Sequence, residues 1–180
     1  MMIFGSRQHE QLRLEGEKLK RRILHLERFA AEPGARIALL YRLADNFGRR
    51  MFPHSLCGQR IGRHSGCETG NCCQCRPDVF AYEKQVLDLL PRRIDASGYC
   101  PFFNPAKRIC GIYGVRPFAC RIFYNTGSSL HACQNPADET LQLFDGLKRH
   151  VELVLGRYQG GYQPERKVAR FPCGEIDSED

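Results

Sequence analysis

Ten cysteines stand in this 180-residue chain, and nine of them (Cys57, Cys67, Cys72, Cys73, Cys75, Cys100, Cys110, Cys120 and Cys133) fall between positions 57 and 133, with Cys173 apart. Thiols at that density either pair as disulfides in an oxidising compartment or gather around a metal in a reducing one. Met1 to Gln11 has no apolar signal core and no small-residue cleavage site, and no segment approaches the ~20 apolar residues that would span a membrane. The expectation is a cytoplasmic chain with no membrane span, in which thiols stay reduced and hold zinc or iron, with an iron–sulfur cluster among the options.

Spacing narrows the donors. Cys72 and Cys75 form a C-x2-C pair, from which two thiolates reach one ion out of a tight turn. Cys72 and Cys73 are adjacent, with Cα atoms ~3.8 Å apart, below the ~4.4–6.8 Å usual for a disulfide, so a bond between them would be strained. Cys100, Cys110 and Cys120 then arrive as the distant half of a split site. The candidate ligands are Cys67, Cys72, Cys73, Cys75, Cys100, Cys110, Cys120 and Cys133. Any one of them could be a buried small hydrophobe instead. Four thiolates on a divalent ion leave surplus negative charge, which Arg116 and Arg121 could offset by donating N–H groups towards sulfur. Pro117 stiffens the turn before Cys120. His54, His64 and His131 lie near the cysteines in sequence and could supply an imidazole, although a solvated histidine is the commoner outcome.

The stretch Cys110-Gly111-Ile112-Tyr113-Gly114-Val115-Arg116-Pro117-Phe118-Ala119-Cys120-Arg121 resembles the downstream half of the YkgJ-type cysteine-cluster family, described as zinc- or iron-chelating domains. That family carries CxxCxxCC, a further cysteine, and then C-x-I-Y-x-x-R-P-x-x-C-R. Cys72 and Cys73 match the closing CC, Cys100 stands at the intermediate position, and Cys133 stands where many members have another. Thr69 occupies the second upstream cysteine position, and Cys67 lies one residue from the first. The resemblance covers roughly Cys67 to Cys133 and implies metal binding. A similar cluster in flagellin lysine-N-methylases implies an iron–sulfur site there.

The elements that must position these sulfurs are helical. Leu12, Leu19, Ile23, Leu26 and Ala30 recur on one stripe of a helix from Ser6 to Ala31, which Pro33-Gly34 breaks. Ile37, Leu40, Tyr41, Ala44 and Phe47 mark a second helix before the turn at Gly48-Arg49-Arg50. Gly16 within the first helix costs ~1 kcal/mol relative to alanine, so packing must support it. Pro77-Asp78 predicts the start of a helix running to Pro91. Arg108–Val115 and Phe118–Tyr124 could form short strands, and Asn135-Pro136 predicts a helix lasting to Gly160-Gly161. The fold class expected is mainly α, with helices bracketing an irregular cysteine-rich metal-binding core and with short β-strands. The division is a basic helical hairpin extension over 1–52, a cysteine-cluster domain over 53–160 and an extended acidic tail over 161–180.

Charge separates the same regions. Met1 to Arg63 carries thirteen Lys and Arg against six Asp and Glu, while the rest carries fourteen of each, so the net +7 lies in the first third. A basic helical face suits a nucleic-acid or protein partner, although such a face often only keeps a protein soluble. No P-loop, dinucleotide-binding glycine pattern, zincin helix or nucleophile elbow is present. The expected function is metal binding; the alternatives are an iron or iron–sulfur dependent redox or modifying enzyme, and an adaptor using the basic helices.

Overall fold

The computed structural model describes residues 6–51, 77–92, 100–104, 106–107, 109–122 and 138–162. Over these the protein is mainly α, with short strands, in the order α1 (Ser6–Leu24), α2 (Leu26–Phe29), α3 (Pro33–Met51), β1 (Asp78–Phe80), α4 (Ala81–Leu89), β2 (Phe103–Asn104), β3 (Ile109–Cys110), a 3-10 turn (Tyr113–Val115), α5 (Phe118–Ile122), α6 (Asp138–Leu155) and β4 (Tyr158–Gly161).

The apolar stripes read from sequence are the buried ones, apart from Ala30 and Tyr41, which are half-buried. Leu12, Leu19, Ile23 and Leu26 meet Ile37, Leu40, Ala44 and Phe47 in one core, which also takes Phe80 from β1, Phe118 and Ile122 from α5, and Phe144, Leu147, Val151 and Leu155 from α6. The N-terminal helices therefore share their core with the C-terminal helix. Gly16 has a packing reason: a Cβ there would lie 2.8 Å from Leu143 Cδ1, so its absence lets α1 approach α6. Pro33 opens α3 as its first residue instead of only closing the helix before it, because a missing N–H costs nothing in a first turn. Arg36 holds that junction through Ala30 O at 2.8 Å and Ala31 O at 2.7 Å.

Several expectations are corrected. The helix expected over Ser6–Ala31 is interrupted at His25 into α1 and α2, and the turn expected at Gly48-Arg49-Arg50 is the last turn of α3, which runs on to Met51. Asp78 begins a strand and not a helix: β1 pairs antiparallel with β4, Asp78 opposite Gly161 and Phe80 opposite Tyr158, and α4 starts only at Ala81. Phe118–Ile122 is helical, since Pro117 presets φ for a helix start and the Phe118 N–H donates to Glu83 at 2.6 Å. The last helix ends at Leu155, because Gly156 turns the chain with φ 75° and the following residues pair as β4. The predicted start at Asn135-Pro136 lies outside the described residues.

A second, smaller core contains Val79, Leu87, Cys100, Phe102, Phe103, Ile112 and Tyr162. Tyr162 is fully buried, accepting from Arg92 Nη1 at 2.5 Å and donating to Asp88 Oδ1 at 3.0 Å. Its ring lies 5.7 Å from that of Phe102, so the end of β4 closes the core around the cysteine hairpin.

Candidate metal centre

β2 and β3 form an antiparallel hairpin that sets Phe103 opposite Cys110 and Asn104 opposite Ile109. Two backbone bonds tighten its base, Phe103 N–H to Cys100 O at 2.9 Å and Gly111 N–H to Phe102 O at 2.8 Å. Cys100 is thereby folded back towards Cys110. Both thiols are free, with Cys100 buried and Cys110 half-buried. Burial pushes Cys100 up to about 11, and charge on Cys110 pushes in the same direction, so the two sulfurs lie within electrostatic reach of each other. Cys110 is likewise raised, chiefly by burial.

Each sulfur accepts an amide N–H from the residue two positions on, Phe102 for Cys100 and Ile112 for Cys110, and each bond lowers the cost of the thiolate. The Arg116 guanidinium acts on Cys110 in the same sense. A tight turn that aims its own amides at a sulfur supplies what a bound thiolate needs, hydrogen bonds that spread its charge. The pair fits a soft metal ion as half of a coordination shell. Among the described residues no group of three or more Cys, His, Asp or Glu comes together as a metal site, and Cys120, exposed on α5, does not complete one with Cys100 and Cys110. Cys67, Cys72, Cys73, Cys75 and Cys133, with His54, His64 and His131, lie outside the described residues.

The arginines are organised by a residue the sequence reading missed. Asp45 on α3 takes Arg116 Nη2 on Oδ1 at 3.0 Å and Arg121 Nη1 on Oδ2 at 2.5 Å. Arg121 also donates to Arg116 O at 3.0 Å and Gly114 O at 2.7 Å, and stacks 4.2 Å over the Tyr41 ring. Its guanidinium therefore closes the turn between β3 and α5 against α3. Arg116 stacks 4.0 Å over Tyr113. Asp45 was legible as the sole acid in α3, half-buried at the edge of the stripe that Ile37, Leu40, Ala44 and Phe47 define.

Glu83 is the second organiser. It is 2% exposed and accepts from Phe80 N at 3.1 Å, Phe118 N at 2.6 Å and Tyr41 Oη at 2.9 Å. One carboxylate thus caps the starts of α4 and α5 and ties both to α3. Burial raises its pKa, against the pull of these donors and of Arg121.

Among the described residues no helix is long and apolar enough to cross a membrane. Comparisons with family models, with curated proteins and with solved structures each found no match.

Proposed function

We propose that this is a metal-binding protein of the YkgJ type, whose thiolates hold zinc or iron, with Cys100 and Cys110 as one half of the coordination shell. The observation that carries the reading is the convergence of these two thiols across the β2–β3 hairpin, each under an amide from its own turn. Two free thiols with built-in donors, enclosed by Phe102, Phe103, Ile112 and Tyr162, suit a ligand pair better than a disulfide or a solvent-facing nucleophile.

The other half is assigned to Cys67, Cys72, Cys73 and Cys75, with Cys133 as a further donor. Zinc held this way would crosslink segments distant in the chain, whereas iron or an iron–sulfur cluster would add one-electron chemistry. The chain's own contribution is then positional. The hairpin fixes the spacing of the two sulfurs, the Phe102 and Ile112 amides spread their charge, and the Arg116–Asp45 pair ties the Cys110 turn to α3.

Elemental analysis and an absorbance spectrum of protein purified without air test the proposal. The expected result is about one or two metal ions per chain, lost together with stability in Cys100→Ser and Cys110→Ser. Folded wild-type protein without metal, with all its thiols open to a thiol reagent, would refute it.

A further inference from the structure

Away from the cysteines, α1 and α3 flank an open pocket of about 300 Å³ lined by Leu19, Arg22, Leu43, Asn46, Phe47 and Arg50. That volume is at the lower end of the ~300–1,000 Å³ usual for small-molecule sites. Leu19 and Phe47 are buried and Leu43 is half-buried, which makes an apolar floor, while Arg22, Asn46 and Arg50 are exposed around it.

The charge beside this floor is unbalanced. Glu15 forms an ion pair with Lys18 at 2.7 Å and another with Arg50, and Arg22 adds to the positive field on it. Three cations thus surround one carboxylate that is itself only 14% exposed. The Arg22 side chain has no ion pair or hydrogen bond among the described residues, and its fork geometry suits a carboxylate or phosphate. An inorganic anion would answer the charge and leave the floor wet. Single-stranded bases would need an open aromatic platform to stack on, and Phe47 is 2% exposed.

We propose that this pocket binds a small amphipathic organic anion, a carboxylate or phosphate monoester whose head lies between Arg22 and Arg50 and whose short apolar portion covers Leu19, Leu43 and Phe47. The site is independent of the metal centre.

Calorimetric titration of the full chain with hexyl phosphate, hexanoate, inorganic phosphate and hexanol tests it, beside sedimentation with phosphatidylcholine–phosphatidylglycerol vesicles. Saturable binding of hexyl phosphate or hexanoate is expected, at least about tenfold tighter than inorganic phosphate or hexanol, because head and tail are both recognised. Arg22→Gln should weaken it about fivefold or more with an unchanged melting temperature, since its side chain is exposed and outside the Glu15 ion pairs, while Arg50→Gln should weaken it similarly and also remove an ion pair from Glu15. Leu43→Asn should weaken hexyl phosphate and leave inorganic phosphate unaffected. The proposal is overturned if neither amphipathic anion saturates, if both arginine variants bind like the wild type, or if only vesicles bind.

Discussion

Asp45 on α3 and Arg121 on α5, 76 residues apart in the chain, meet at 2.5 Å, and the other oxygen of the same carboxylate holds Arg116 at 3.0 Å. One acid in the N-terminal helices therefore fastens the turn that follows Cys110. Its removal takes away the carboxylate that two arginines, 8% and 4% exposed, share. Asp45→Ala should cost about 2–3 kcal/mol, below the figure for a fully buried pair because Asp45 retains some solvent contact. Urea denaturation reads the loss, and a midpoint within error of the wild type would refute the role.

Glu83 gives a prediction with a pH signature. Glu83→Gln replaces one acceptor oxygen with a donor facing an amide, and should cost about 1–3 kcal/mol. Because burial raises the folded-state pKa above the ordinary 4.5, the folded protein binds this proton more readily than the unfolded chain. The charged carboxylate's burial penalty is therefore absent below pH 4.5 and grows as pH rises through the folded value. The wild type's stability advantage over Glu83→Gln should accordingly narrow from pH 4.5 upward, as parallel urea titrations would record. A gap that widens with pH would contradict the assignment.

The Gly156 turn has a backbone cause. With φ at 75° and Ala81 Cβ 3.2 Å from where a side chain would begin, Gly156→Ala forces an L residue into the left-handed region beside a neighbour. A loss of about 1–2 kcal/mol is expected, with Gly156→Asn milder because asparagine tolerates that region. Thermal melts of the two variants decide it, and equal melting of Gly156→Ala and wild type would refute it.

Tyr162 should titrate late. Burial, followed by its bond to Asp88, pushes the phenol up to about 12 from an ordinary 10.0. The unfolded chain then loses this proton first, so Tyr162 should erode stability as pH rises from 10 towards 12. Tyr162→Phe should remove that part of the alkaline loss and cost about 1–3 kcal/mol near neutrality, because the buried Arg92 guanidinium loses an acceptor. Denaturant midpoints across this range in both proteins check both parts.

What sequence could and could not reveal follows the range of the forces involved. The stripes Leu12–Leu19–Ile23–Leu26 and Ile37–Leu40–Ala44–Phe47 were readable because a helix repeats its buried face every few residues. β1 was not, since three residues become a strand only by pairing with Tyr158–Gly161, some eighty residues downstream. Phe118–Ile122 reads locally as strand, and its helical state depends on Pro117 together with a carboxylate from another element. For the site, spacing made Cys100 and Cys110 candidates, but their closeness arises from the hairpin register. Arg121 was assigned towards sulfur, yet its hydrogen bonds among the described residues go to Asp45, Gly114 O and Arg116 O. Charge alone does not tell a guanidinium which acceptor it will meet.

The most direct test of the proposed metal centre is X-ray absorption at the metal edge, on wild-type protein and on the Cys100→Ser/Cys110→Ser double variant. A sulfur-dominated shell of about four ligands, near 2.3 Å if the ion is zinc, is expected in the wild type and should lose about two sulfurs in the variant. An identical shell in both proteins would mean that Cys100 and Cys110 are not ligands.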